Sequence, residues 1–101
     1  MSEYPTAAIY NNLGSAYQDT GYYDRAIEYY ERALEVGLDQ LGPKHPEAAI
    51  FYNNLGSAYS YIGDYDRAKE YYQKALRIGH ESLREDDPHM KMFQDNLELL
   101  Q

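Results

Sequence analysis

Apolar residues in this chain return at three- and four-residue intervals, the period of helices that each bury one face. Ile9, Tyr10, Leu13, Ala16 and Tyr17 form the first stripe and predict a helix from about Pro5 to Thr20. Pro5 stands where a first turn tolerates proline. Gly21 is the expected stop, and Asp24 the expected N-cap of the next helix. That second helix carries Ala26, Ile27, Tyr30, Ala33 and Leu34 on one stripe and runs on to about Leu41. Gly37 inside it costs up to ~1 kcal/mol relative to alanine. Gly42-Pro43-Lys44-His45-Pro46 reads as a turn. A third helix is expected from about Pro46 to Ile62, closed by Gly63. A fourth opens at Asp64 or Asp66 and carries Ala68, Tyr72, Ala75, Leu76 and Leu83. After the acidic break Glu85-Asp86-Asp87-Pro88, with Asp87 as cap, a last helix runs through Met92, Phe93, Asn96, Leu97 and Leu100. The prediction is all-α: five helices, no strand, and no linker long enough to separate domains.

The same letters return as well as the same pattern. Tyr10-Asn11-Asn12-Leu13-Gly14-Ser15-Ala16-Tyr17 recurs unchanged as Tyr52 to Tyr59, and Tyr23-Asp24-Arg25-Ala26 as Tyr65 to Ala68. Roughly 20 of 35 positions agree between Ala7–Leu41 and Ala49–Leu83 at a shift of about 42, which identifies a repeat protein. A third copy begins at Pro88 and stops half-built, with Phe93, Asn96 and Leu97 answering Phe51, Asn54 and Leu55. The expected organisation is one domain over residues 1–101: a first repeat at about 5–45, a second at about 46–87, and a partial third at 88–101. Gly14, Ala26 and Ala33, with Gly56, Ala68 and Ala75 in the second copy, sit among Tyr10, Leu13, Tyr17 and Tyr30. Small residues let two helix backbones approach while large ones fill the space around them.

Charge narrows the partners. The net charge is −8, so nucleic acid and anionic membrane surfaces are poor partners, since both need clustered Lys and Arg. No apolar run approaches the ~18 residues of a membrane span. Met1-Ser2-Glu3-Tyr4-Pro5 lacks the basic and apolar regions of a secretory signal, which makes the cytoplasm the default expectation. There is no cysteine, hence no disulfide or thiolate metal site. The 13 tyrosines, against no tryptophan, supply large apolar area with a polar tip.

Tyr10, Leu13, Gly14, Tyr17, Ala26, Tyr30 and Ala33 fall at the spacing of the tetratricopeptide repeat signature, with Tyr10 where that family often has Trp, and the second copy fits equally well. The usual repeat is about 34 residues. This one is about 8 residues longer, and Leu41-Gly42-Pro43-Lys44-His45-Pro46 occupies the excess. It resembles the long repeats of kinesin light chains, which carry similar Tyr-Asn-Asn-Leu and Leu-Gly-Pro-x-His-Pro segments. It departs in having Leu38 and His80 where a proline is usual, and in having only two full repeats. The resemblance implies an α-solenoid of two helix-turn-helix units plus a C-terminal helix, in a right-handed superhelical array whose concave face is lined by the first helix of each pair.

Carried onto this chain, that face includes Asn11, Asn12, Ser15, Gln18 and Asp19 from the first copy. The second supplies Asn53, Asn54, Ser57, Ser60 and Tyr61, and the third Asp95 and Asn96. Asn12, Asn54 and Asn96 stand in register. An asparagine offers a donor and an acceptor together, so a row of them can hold an extended peptide backbone without reading its side chains. The plainer alternative is that these amides bond within the helical framework or face water. The clamp by which some family members bind acidic C-terminal peptides needs basic residues on the first helices. Ser15, Gln18, Ser57 and Ser60 are neutral, while Asp19 and Asp95 make the rim acidic, which favours a neutral or basic peptide. The expected function is a module binding a protein or peptide partner. The alternative is a homo-oligomer, because the array has open ends: its start has no dedicated cap, and Met90, Met92, Phe93, Leu97, Leu99 and Leu100 make the last helix apolar for one.

Other chemistry finds little support. His45, His80 and His89 lack the paired spacing of metal ligands, and no metal or cofactor is expected. Ser15 and Ser57 have no histidine at a helical neighbour position, and no glycine-rich phosphate loop is present, so no enzyme activity is expected. Tyr30 and Tyr72 are expected in the core, and Tyr29 and Tyr71 at the seam between repeats.

Overall fold

The computed structural model describes residues 6–100. Its helices are α1 (Thr6–Asp19), α2 (Tyr23–Leu41), α3 (Pro46–Tyr61), α4 (Tyr65–Ser82) and α5 (Pro88–Glu98), with no strand among the described residues. The expected start at Pro5 lies outside the described residues. Each other boundary falls within about two residues of the periodicity reading, because strong local signals stand at the ends. Gly21 and Gly63 take positive φ of 88° and 86°. The chain reverses there with Tyr22 N–H bonded back to Tyr17 C=O at 2.9 Å, and Asp64 N–H to Tyr59 C=O at 3.0 Å. Asp64 caps α4 by accepting from Arg67 N–H at 3.2 Å. Asp87 caps α5 by accepting from His89 N–H at 2.8 Å. The expected cap at Asp24 is not found. Tyr22 holds that position without a side-chain bond, and Asp24 lies in the first turn, where its charge still favours the positive helix end. His45, expected only as part of a turn, caps α3: its ring Nδ1 accepts from Glu47 N–H at 3.1 Å.

α1 packs on α2 and α3 on α4 as antiparallel hairpins, and α2 packs on α3 and α4 on α5 to join them. The 19 Å short dimension is about two helix diameters. Among the first helices, α1 touches α3 and α3 touches α5, and none of the described helices is long and apolar enough to cross a membrane.

Glycine sets how closely the helices approach. A methyl group placed on Gly14 would stand 2.6 Å from the Tyr30 ring, and one on Gly56 2.7 Å from the Tyr72 ring, so each hairpin closes on a tyrosine lying over a bare backbone. The seams use the same device. A Cβ on Gly37 would meet the Phe51 ring at 2.6 Å, and one on Gly79 the Met90 sulfur at 2.5 Å. Gly37, a cost when α2 is considered alone, is therefore the socket into which the second repeat plugs. Leu55 and Phe93 are fully buried, with Phe51, Tyr30 and Tyr72 nearly so, which bears out the expected core role of the last two. Leu13, expected to fill the hairpin, is instead 40 % exposed on the outer side of α1.

Tyr29 and Tyr71 do not sit at the seam. Tyr29 lies between Tyr10 and Tyr17 of its own hairpin, with ring centroids at 6.1 and 5.5 Å. Tyr71 lies likewise between Tyr52 and Tyr59 at 6.0 and 5.6 Å. Arg25 and Arg32 cover the first stack and Arg67 and Lys74 the second. The residue before each buried tyrosine points to the neighbouring face of the same helix, and that face meets the partner helix of the hairpin.

Two outcomes follow from this packing. Gly56→Ala would gain stability in an open helix; here the methyl also meets the Ala68 carbonyl oxygen at 3.1 Å. It is expected to lose about 1–3 kcal/mol, a fall of about 4–8 °C in melting temperature per kcal/mol for a domain of this size. A variant that melts higher would refute the socket. The second outcome concerns pH. Burial raises the pKa of Tyr30 and Tyr72, and likewise of Tyr59 and Tyr71. A raised folded-state pKa stabilises the protonated phenol, so that stability is fully present below the unfolded value of about 10 and is lost as pH climbs above it. From neutral pH up to that value these tyrosines leave the melting temperature level, and beyond it the melting temperature should fall steeply, with tyrosinate absorbance appearing together with loss of helicity.

Candidate functional site

The first helices bring the expected polar residues to a common face and bond them to each other. Asn54 Nδ2 donates to Asn11 Oδ1 at 2.7 Å, and Asn96 Nδ2 to Asn53 Oδ1 at 3.0 Å. The rungs are staggered: the second asparagine of one copy reaches the first asparagine of the copy before. The adjacent pair of the second copy is thereby explained, since Asn53 receives from the following helix and Asn54 gives to the preceding one. Asn53 is 4 % exposed, the one buried asparagine, serine, threonine, glutamine or charged side chain among the described residues. Asn12 is exposed.

Each rung leaves a complementary pair unspent. Asn11 accepts and keeps its Nδ2 donors; Asn54 donates and keeps its carbonyl oxygen. A third cross-helix bond continues the row, from Gln18 Nε2 to Ser57 Oγ at 3.1 Å. Gln18 Oε1 is buried with no hydrogen-bond partner among the described residues. Ser15 is exposed and Ser57 half-buried, each beside the phenol of the buried tyrosine behind it.

The acidic residues separate. Asp95 is engaged by Lys91 Nζ at 3.2 Å, so its charge is compensated within α5. Asp19 is exposed and has no ion pair among the described residues. It is the free acid at this end of the face, and its field adds to burial in raising the Tyr30 pKa. Tyr61 stands at the end of α3, 61 % exposed, yet one ring face is already taken by Tyr23, stacked at 5.0 Å.

The histidines are used locally. His45 caps α3, His80 sits in the last turn of α4, and His89 Nδ1 lies 3.0 Å from Asp87. Bonds from His89, its backbone N–H first, hold the Asp87 carboxyl below the usual carboxylate range. No group of three or more metal-ligating side chains comes together among the described residues.

A family model described as tetratricopeptide repeat matches residues 5–79. No curated protein matches the chain. Among solved structures, the crystal structure of BtubC (BKLC) from P. vanneervenii is similar, with 34 % sequence identity and a TM-score of 0.86 over 93 % of this chain. The match takes in 38 % of that protein, so the chain spans well under half of its length. It is a kinesin light chain-like relative, in line with the length of the repeat and its Tyr-Asn-Asn-Leu segments. With five helices, two glycine-socketed hairpins and a family match over most of its length, the chain belongs to the tetratricopeptide repeat family.

Proposed function

We propose that this chain is a protein-interaction module that holds an extended, neutral-to-basic peptide segment along its first-helix face. The family is one of interaction scaffolds rather than catalysts. The observation that carries the finer reading is the pairing within the rungs. Asn11 with Asn54, and Asn53 with Asn96, each spend one donor and one acceptor on each other, which fixes the amides in one orientation. At the half-buried Asn11–Asn54 rung a donor and an acceptor remain, the pair that a peptide C=O and N–H require. Exposed Asn12, Ser15 and Tyr61, with half-buried Ser57 between the rows, extend the surface. A net charge of −8 with Asp19 unpaired disfavours an acidic segment.

The test is selection of binders from a randomised peptide library, followed by titration against variants. Asn12→Ala with Asn54→Ala should weaken selected peptides by about tenfold or more, the equivalent of one or two hydrogen bonds, with helicity retained. The side-chain amide resonances of Asn11, Asn54 and Asn96 should shift on binding. Unchanged affinity in the double variant would remove the row from the site.

A second reading, self-association, is favoured by the outer side of α1. Ile9 is 50 % and Leu13 40 % exposed, whereas their counterparts Phe51 and Leu55 are 2 % and 0 % exposed under α2. On this reading the mass in sedimentation rises with concentration from 11.8 kDa, and Leu13→Glu returns it to the monomer value. A mass that stays constant removes this reading.

A further inference from the structure

The turn that lengthens this repeat is held at two points. The His45 ring caps α3, and the Ser82 hydroxyl at the end of α4 donates to the Lys44 carbonyl oxygen. The turn is thereby drawn against α4, and a hollow of about 330 Å³ lies between the turn, α3 and α4. Pro43, Tyr52 and Ile78 supply its apolar lining, and Lys44, Lys74 and Arg77 its cations. Three of the nine lysines and arginines of an acidic chain thus share one small hollow. None of the three has an ion pair among the described residues. Glu70 stands one turn before Lys74, as Glu28 stands before Arg32 in the first copy. Arg32 bonds Glu28 at 3.0 Å. The Lys74 ammonium lies instead 5.6 Å from the centre of the Tyr52 ring and 5.5 Å from that of Tyr71, a contact that leaves its charge unneutralised. Glu81 is the one acid among the described residues that line the hollow, so three positive charges meet one negative. Repeat packing does not require this cluster: the shift of 42 sets Glu35 against Arg77 and Asp86 against Lys44.

We propose that this hollow binds the phosphate of a phosphorylated serine or threonine on a partner polypeptide. An excess of two positive charges at one site matches a phosphate monoester, which carries up to two negative charges on a single centre. A run of aspartates or glutamates spreads the same charge over successive residues. Arginine offers a fork to two phosphate oxygens, and lysine a point charge. Basic clusters are a recurrent means of reading phosphorylated segments. A nucleic acid or an anionic bilayer would also meet the surrounding surface of a chain with net charge −8 and be repelled by it, whereas one phosphorylated side chain meets the hollow alone. The clamped turn fixes the Lys44 backbone before binding, which limits the ordering cost. The site is separate from the asparagine row. Tyr52 and Asn54 are two positions apart on α3, about 200° around its axis, and no asparagine lines the hollow. Either site can fail without the other.

The acetylated, amidated peptide Gly-Ala-phosphoserine-Ala-Gly is titrated into the full chain, followed by backbone amide shifts. The same peptide with serine or aspartate at its centre, inorganic phosphate, and phosphatidylserine vesicles are the controls. The amides of Lys44, Lys74, Arg77 and Ile78 should move together. The phosphopeptide should bind at least about tenfold more tightly than the aspartate peptide, and the serine peptide should not bind. Arg77→Glu, which installs the residue of the first copy, should weaken the phosphopeptide about tenfold or more, and Arg77→Lys should restore part of the loss. Lys74→Met keeps an apolar stem against the two rings and should still weaken binding about three- to tenfold. Lys44 and Arg77 are exposed, so their variants should melt with the parent chain, which separates loss of binding from loss of fold. Equal binding of the aspartate peptide, inorganic phosphate binding as tightly as the phosphopeptide, shifts centred on Arg25 and Arg67, or full binding by a folded Arg77→Glu variant would each overturn the proposal. Vesicles that shift the same four residues would overturn it in favour of a membrane, and concentration-dependent shifts there without any probe in favour of a second copy of this chain.

Discussion

The structure depends on helix backbones coming closer than side chains ordinarily allow. At Gly14 and Gly56 a tyrosine ring occupies the space of a missing methyl group, and at Gly37 and Gly79 a phenylalanine or methionine does so. The first pair closes hairpins; the second joins them. Every other contact is scaled to these separations. The tyrosine stacks form because the hairpin helices lie near enough for Tyr29 to enter between Tyr10 and Tyr17. The asparagine rungs reach because successive first helices are held within one amide–amide bond of each other. A glycine inside a helix costs about 1 kcal/mol against alanine, and burial of a large side chain against it returns about 1.5–3 kcal/mol, so the exchange favours the socket.

The rungs show one residue type joining successive first helices. A buried amide must find partners or it destabilises the fold. Here the partner is the same residue type in the next repeat, so the requirement is met wherever the repeat recurs. Because each bond uses one end of each amide, the pairing itself orients what is left. A serine pair would not do this, since a hydroxyl rotates to suit whatever neighbour it has.

Much of the fold was legible. Proline, glycine and aspartate at the ends, with apolar residues every third or fourth position, were enough for all five helices. The duplicated octet and the glycine and alanine positions pointed to the family. What the sequence concealed was direction. Periodicity places Tyr29 on the flank of a helix but not whether the hairpin or the seam covers that flank. Leu13 fits the apolar stripe, yet among the described residues nothing covers it on the outer side of α1. The socket role of Gly37 was visible in principle, because Gly79 stands in register with it, but considered within its own helix it counts only as a loss. The asparagines were recognised as a row; their stagger was not, because it depends on the offset between neighbouring helices rather than on position within either one.

The seams also have a polarity. Each seam sets a plug on a first helix, Phe51 or Met90, into a socket on the second helix before it, Gly37 or Gly79, so the two surfaces are different and lie on opposite sides of the unit. Joining them is a translation along the array rather than a rotation onto itself, and nothing in the joint specifies how many units follow. A whole repeat copied within a gene therefore arrives with both halves of its joint already fitted to its neighbours. Lengthening such a protein demands no new complementarity, whereas altering one socket alone breaks it. Inheritance in units of this size, with the joint conserved and the exposed positions free to diverge, is what the geometry permits most readily.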